Sequence, residues 1–451
     1  MIRGLLVFCL TSSMAQAQVL TWSEFSAASI ARSPEVRVAQ TLVREAQAAR
    51  MSAAAAFEPQ LNLSSEGKVY QGDLQYRLDL AEARIGLPGG IDIVGGAAQA
   101  QGFFINPERS TPAEGILNLG ISAPLGGGIV FSDRQYQWGA AQRNIEIAEA
   151  RLDRMERKTM LDAVKIYTTW QAQTEVQRAV DEARAIAEER LRLVREAFRL
   201  GERSGMDTLE AYLSWVDRRA DAANQANLTF AAVSVVEQFL RGADTTVNVD
   251  PLALSPEVRP VLLHNLTMEP SMVPFMPSIP EVAIANSALR RERLATTTAW
   301  AQWLPAPNVD FRLLQWGGSE WNPEAAQWRL GLALPLFNFK ARAELASAQA
   351  RLNAAIATAS ATQNRMEVLQ IQLSQQVMAL AEEVKALTAS ETAAYALLLQ
   401  ERRRFDLGES TMFILAIRET KYLDAKQKRS LTSAKLQSLE AERRLLTSPS
   451  L

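Results

Sequence analysis

Phe198-Arg199-Leu200-Gly201-Glu202 returns as Phe405-Asp406-Leu407-Gly408-Glu409, 207 residues further along the chain. Working outward from this pair, the whole chain proves to be written twice. Ser33-Pro34-Glu35-Val36 returns as Ile279-Pro280-Glu281-Val282, and at that same offset of 246 Pro59, Asn62 and Leu63 return as Pro305, Asn308 and Val309. Ala123-Pro124-Leu125 returns as Leu334-Pro335-Leu336 at an offset of 211. The first copy therefore carries 35 extra residues between its Pro59 and Pro124. Two copies with one order of breakers imply a duplicated architecture.

Helix breakers divide each copy. No proline occurs between Pro124 and Pro251 or between Pro335 and Pro449, and the only glycine in the second stretch is Gly408. Proline and glycine end helices, so 133–200 and 340–407 read as two long helices, each about 100 Å at the α-helical rise. Leu345, Leu352, Ala359, Met366, Leu373, Leu380, Leu387 and Ala394 recur every seven residues in the second, and Ala179, Ile186, Leu193 and Leu200 in the first. That period predicts left-handed supercoiling. Shorter helices are expected at 34–57, 206–241, 280–303 and 412–446, and one at 21–31 opened by Thr21 and Glu24 at capping-box spacing. Taken alone, the helices fit a water-soluble coiled coil equally well.

Between the short and long helices of each copy the apolar period drops to two. Val309, Phe311 and Leu313 alternate with Asp310 and Arg312, and Trp328, Leu330, Leu332 and Leu334 with Gln327, Arg329 and Gly331. In the first copy Leu61 and Leu63, then Leu117, Leu119 and Ile121, do the same. Such strands suit a half-buried sheet or a barrel wall with lipid on one side and water on the other. Trp316, Trp321 and Trp328 cluster about the second hairpin, as a membrane girdle of aromatics requires. The extra residues, 69–113, hold Leu74, Tyr76, Leu78 and Leu80 and then Ile91 and Ile93 after Pro88-Gly89-Gly90. They read as an additional hairpin that either lengthens the extracellular loops or adds strands to the wall; the sequence leaves both open, with the loops as the expectation.

Composition excludes several classes. The net charge of −2 gives no electrostatic footprint for nucleic acid. Arg3, the apolar run Leu5 to Leu10 and Ala15-Gln16-Ala17 read as a secretory leader over 1–17, which carries away the sole cysteine, Cys9. No run elsewhere reaches the 18 or so apolar residues of a membrane-spanning helix. Six prolines between 242 and 279 mark a linker, so the first repeat is 18–241 and the second 280–451. His264, the only histidine, lies in that linker without neighbouring ligand types. Neither a cysteine–histidine metal cluster nor a nucleophile elbow or phosphate loop is present, so no enzyme activity, cofactor or metal is expected. Gly126-Gly127-Gly128 reads as the strand-to-helix swivel.

The proline after each short helix with its following strand, the Ala-Pro-Leu or Leu-Pro-Leu before each long helix and the Leu-Gly turn after it resemble the TolC family of outer-membrane efflux proteins. The resemblance covers nearly all of the mature chain, twice in the right order. It implies a homotrimer in which four strands per protomer build a β-barrel in outer-membrane lipid and the helices build an α-helical barrel extending into the periplasm. Four strands cannot close alone, and open edges in lipid leave backbone groups unpaired at several kcal/mol each. The family's function would be a passive exit channel of a tripartite efflux or secretion system, working with a periplasmic membrane-fusion adaptor and an inner-membrane pump. Arg199, Leu200, Gly201, Leu407 and Gly408 would be the adaptor-contact tips, where the glycines also suit helix C-caps. Some members carry acidic residues six and nine positions after this glycine, ringing the pore constriction. Here those positions are Asp207 and Glu210 in the first copy but Ile414 and Ile417 in the second. Apolar positions gate by dewetting rather than by cation binding, and Asp207 also suits a helix cap. A periplasmic coiled-coil adaptor or scaffold without a barrel is the alternative.

Overall fold

The computed structural model describes residues 18–125, 131–241, 254–256, 279–304, 307–316, 321, 325–332 and 337–447. The leader, most of the linker with His264, the Gly126–Gly128 swivel, Pro305 and Leu334-Pro335-Leu336 lie outside the described residues. The helices are α1 (Trp22–Arg32), α2 (Pro34–Ala54), α3 (Asp133–Arg199), α4 (Gly205–Arg241), α5 (Pro280–Trp303), α6 (Phe339–Asp406) and α7 (Met412–Thr447). Every one falls within three residues of the ends set by the breakers. The strands are β1 (Gln18–Leu20), β2 (Gln60–Tyr70), β3 (Asp73–Gly86), β4 (Asp92–Gln101), β5 (Ile116–Pro124), β6 (Leu254–Pro256), β7 (Asn308–Trp316) and β8 (Ala326–Gly331). No helix among the described residues is long and apolar enough to cross a membrane. The chain divides into two compact units, each drawing segments from both halves of the sequence.

The first unit comprises residues 1–38, 153–279 and 366–451. Here β1 pairs in parallel with β6. Thr21 caps α1 in a full capping box with Glu24, satisfying backbone donors that the first helical turn leaves free. The core is aromatic: Phe25, Tyr167 and Trp170 are buried together with Val236 and Leu240. Tyr167 keeps its hydroxyl satisfied by donating to the Leu20 carbonyl at 2.7 Å. Along α6, Met366, Leu373 and Ala394 are buried and Leu380 and Leu387 half-buried, as the seven-residue period predicts.

The matching series on α3 departs from expectation. Ala179 is buried and Ile186 half-buried, but Leu193 and Leu200 are 60% and 69% exposed. The buried face runs instead through Ala183, Ala187, Leu191 and Val194, spaced four, four and three. The contacts near the end of α3 are made by Leu191 and Val194, on either side of Leu193, and Leu200 lies beyond the last residue of the helix.

Glu440 on α7 is half-buried. Its burial raises the carboxyl above the ordinary range, while Arg444 and Arg443 pull it back only in part. A carboxyl raised in the folded state contributes stability that is complete at acid pH and lost as pH rises through the folded value. Glu440→Gln should therefore raise the unfolding temperature at neutral pH and give no gain at acid pH, measured by thermal melts at both.

The second unit comprises residues 39–152 and 280–365 and holds one antiparallel sheet in the order β2-β3-β4-β5-β7-β8. The extra hairpin of the first copy joins this sheet as β3 and β4 and so adds strands rather than only loop, and the six strands are the four implied by the family resemblance plus these two. The reason is local. β2 and β3 are joined by only Gln71-Gly72, both at positive φ, the two-residue turn whose twist matches antiparallel strands. Such a short connection leaves β3 nowhere to go but beside β2.

The pairings align side chains in rows. Leu63, Ala81, Ala97, Leu117 and Gln315 form one row; Leu61, Ala83, Gly95, Leu119, Leu313 and Ala326 the next; Ile85, Ile93, Ile121, Phe311 and Trp328 the third. Ala123, Val309 and Leu330 form the fourth. Because side chains alternate along a strand, all four rows share one face. Across these rows that face is apolar and largely exposed, Trp328 being 73% accessible; above them on β2–β4 it turns polar at Ser65, Asp79 and Gln99, and Leu78 and Leu80 stand on the other face.

Candidate functional site

The opposite face of the sheet is built from the intervening residues and carries ions. Arg312 on β7 pairs with Asp310 at 2.8 Å and reaches Glu82 on β3 at 3.0 Å. Arg84 joins Glu82 at 3.0 Å and Asp92 at 3.3 Å, and Arg134 in the first turn of α3 closes on Asp92 at 2.5 Å. Three carboxylates and three guanidiniums thus form one chain across the sheet, and Glu82, Arg84 and Asp92 all come from the extra hairpin. Gly120 makes the crossing possible. A Cβ there would lie 2.1 Å from the Phe311 carbonyl oxygen and 2.8 Å from Cγ of Arg312. Gly120→Val should therefore break the β5–β7 pairing, read as a lowered unfolding temperature and loss of β-sheet signal in circular dichroism.

A second set of aromatics, missed in the sequence, lies where helix meets strand. Trp300 and Trp303 close α5 before β7, Trp138 lies early in α3 after β5, and Phe337 and Phe339 precede or open α6 after β8; all five are exposed. Phe337 and Phe339 stack at 5.7 Å. Of the three tryptophans singled out above, Trp328 sits on the apolar face opposite Phe311, Trp321 is exposed between β7 and β8, and Trp316 is the last residue of β7.

In the first unit, the repeated Leu-Gly turns adopt one geometry. Gly201 and Gly408 have φ of 81° and 77°. Gly201 N–H donates to the Phe198 carbonyl at 3.0 Å and Glu202 N–H to Ala197 at 2.8 Å; Gly408 donates to Phe405 at 3.0 Å and Glu409 to Arg404 at 2.8 Å. These are paired Schellman caps, which need positive φ at the glycine. Arg199 is exposed and carries an ion pair to Glu196 at 3.4 Å. Leu200 and Leu407 gain nothing from the caps and stand 69% and 74% exposed. Met206, Leu209 and Phe413 nearby are also exposed. Their helical spacing alone reads as a core face, so nothing in the sequence marks them.

Asp207 is a helix cap: its carboxylate accepts from Ser204 N–H at 3.1 Å and from the Ser204 hydroxyl at 3.0 Å. Glu210 and Ile417, equivalent positions of the two repeats, line one groove of about 460 Å³ with Leu213, Asp217 and Phe413. Ile414 is exposed and does not line it. The same unit holds an ion-pair ladder that the sequence did not reveal. Glu419, with a side chain 3% exposed, accepts from Arg190 on α3 at 2.5 and 3.1 Å and lies 3.5 Å from Arg402 on α6. Glu401 meets Arg418 at 3.9 Å and accepts from the Ser410 hydroxyl. Farther along α7, Arg429 bridges Glu391 at 2.7 Å and Glu175. No group of His, Cys, Asp and Glu among the described residues is arranged to hold a metal ion.

No protein-family model and no curated protein matches the sequence. Solved structures do match the fold. The outer-membrane channel OprN is 17% identical, with 94% of this chain and 89% of that one covered and a TM-score of 0.67. The Campylobacter jejuni CmeC outer membrane channel is 12% identical, covering 95% and 85%, at 0.68. The Neisseria gonorrhoeae MtrE outer membrane channel, solved in an open state, is 15% identical, covering 98% and 94%, at 0.64. Long helices, duplicated caps and an antiparallel sheet with one apolar face thus make up a fold that this chain shares with outer-membrane channels.

Proposed function

We infer that this chain is the outer-membrane exit channel of a tripartite efflux or secretion assembly. The observation that carries this reading is the sheet. It has an exposed apolar face, an ion-bearing opposite face and two strands, β2 and β8, with one edge each unpaired among the described residues. A membrane wall needs its apolar side toward lipid and its polar side toward water, and its backbone closed against edges. Copies of the chain supply that closure, and a homotrimer is the assembly proposed. Trp328 and Trp321 supply aromatics at one membrane boundary, and the Trp138, Trp300 and Trp303 group at the other.

The capped turns at Gly201 and Gly408 present Leu200 and Leu407 to an adaptor protein, which links the channel to an inner-membrane pump. Glu210, Ile414 and Ile417 contribute to the constriction, while Asp207 serves its helix. With two isoleucines beside the Glu210 carboxylate and Asp207 engaged in its helix cap, closure is by exclusion of water more than by a ring of bound cations. The duct carries out no reaction. Substrate choice and energy belong to the pump, and opening is a population shift driven by the adaptor's preference for the open state.

The test is membrane residence and conductance. The purified protein should resist extraction by alkali, migrate as a heat-modifiable oligomer and conduct ions across planar bilayers. Release by alkali with no conductance would overturn the reading in favour of a periplasmic scaffold.

A further inference from the structure

We propose that copies of this chain join β8 to β2 with an offset of six residues, so that a trimer closes a barrel of eighteen strands. The proposal rests on the channel reading above and specifies its wall.

Strand direction permits the seam. Six antiparallel strands leave β2 and β8 running in opposite senses, so β8 of one copy meets β2 of the next antiparallel. A single inserted strand would have made that seam parallel; the hairpin of β3 and β4 preserves it. Both edge strands are exposed along their whole lengths.

The offset is written in the apolar band. On β2 the apolar residues of the four rows are Leu61 and Leu63, in the first two; Ser65 and Gly67 follow on that face and separate them from Val69 and Tyr70 at the far end of the strand. On β8 they are Trp328 and Leu330, in the third and fourth, with Leu332 one row beyond. The band therefore descends across the sheet. To continue level into the next copy, Leu330 must stand opposite Leu63 and Leu332 opposite Leu61, which is an offset of six residues. The other face then also matches in kind: Arg329 meets Ser64 and Gln327 meets Glu66.

Geometry supplies an independent check. Six residues at about 3.3 Å over six strand spacings of about 4.8 Å give a tilt of roughly 35°. Closed membrane barrels tilt by about 35–45°, so the slope of the apolar band is the slope that closure demands. At this tilt eighteen strands enclose a backbone diameter of about 34 Å, against about 22 Å for the twelve strands of a trimer lacking the hairpin. Barrels of 16–18 strands enclose an aqueous channel.

The experiment is cysteine cross-linking of the full chain in membranes, with Cys9, the sole native cysteine, changed to serine. Leu63→Cys with Leu330→Cys places a pair on the outer face, and Ser64→Cys with Arg329→Cys places one on the inner. Opposed residues alternate between close and wider spacing, so at least one pair should oxidise to a covalent trimer that reductant reverses. Single variants should stay monomeric on denaturing gels. Wild-type conductance with trimer formed only by Leu63→Cys/Leu332→Cys or Leu63→Cys/Trp328→Cys would overturn the offset. An intrachain link in Leu61→Cys/Leu119→Cys would show β2 beside β5 and overturn the eighteen strands. Absence of wild-type conductance would instead refute the channel reading itself.

Discussion

On the channel reading proposed above, replacing Glu419 by alanine is expected to shift the protein toward an open state. Glu419 is the buried acceptor through which α7 holds Arg190 of α3 and Arg402 of α6. Removing one partner of a buried pair leaves charge uncompensated at a cost of about 3–5 kcal/mol. Here two guanidiniums lose their counter-ion, and the helices can relieve that by separating until water reaches them. If this ladder holds the closed state, the closed-to-open ratio should fall by roughly two to three and a half orders of magnitude. Planar-bilayer recordings should show a higher conductance and a larger open fraction than wild type. Glu419→Gln, which keeps the shape and one acceptor, should lie between. A variant with wild-type conductance and only a lower melting temperature would show that the pair braces the helices without gating them.

Aspartate at both Leu200 and Leu407 is expected to abolish substrate export in the native host while the oligomer still assembles. Neither side chain takes part in the caps, whose bonds come from backbone groups of Gly201, Glu202, Gly408 and Glu409. Exposed substitutions of this kind usually change stability by no more than about 0.5 kcal/mol. Burial of a leucine by a partner contributes about 1.5–3 kcal/mol, and an unpaired carboxylate in the same place costs more. With the contact repeated at both turns of every copy, the summed loss exceeds what a docking interface can absorb. Gly408→Pro attacks the same turn from the backbone, removing the N–H that bonds Phe405 and forbidding a φ of 77°. Normal export by these variants at wild-type protein levels would refute the docking site.

Much of the fold was legible before any contact was known. The absence of proline over long stretches, with Gly201 and Gly408 as stops, set the helices. Identical breakers in both halves predicted that the two turns would share one geometry, and their caps agree to 0.1 Å in hydrogen-bond length. The alternation of Phe311 with Arg312 set the two faces of the sheet. The heptad series on α3 misled, because a seven-residue period names a face and the buried face there runs through Leu191 and Val194 instead of Leu193. The tip residues Met206 and Leu209 were illegible for a related reason. Helical spacing identifies a face but not what covers it.

The extra hairpin marks the boundary between the two kinds of information. Its strands could be read from Leu74, Tyr76, Leu78 and Leu80, but its place beside β2 and β5 could not. A two-residue turn and a row of isoleucines, Ile85 to Ile93 to Ile121, decided that. The ion pairs were equally hidden. Arg312 meets Glu82 across 230 residues of chain and Arg190 meets Glu419 across 229.

By itself, then, the sequence determined the order, type and ends of the elements and, on β5, β7 and β8, which residues share the apolar face. These follow from φ/ψ limits at proline and glycine and from side-chain periodicity, which act within a few residues. Only the tertiary structure decided that six strands share one sheet, which carboxylate each arginine reaches, and how the apolar band slopes toward its seam. Those depend on register between distant segments, where a shift of one residue turns every side chain to the other face.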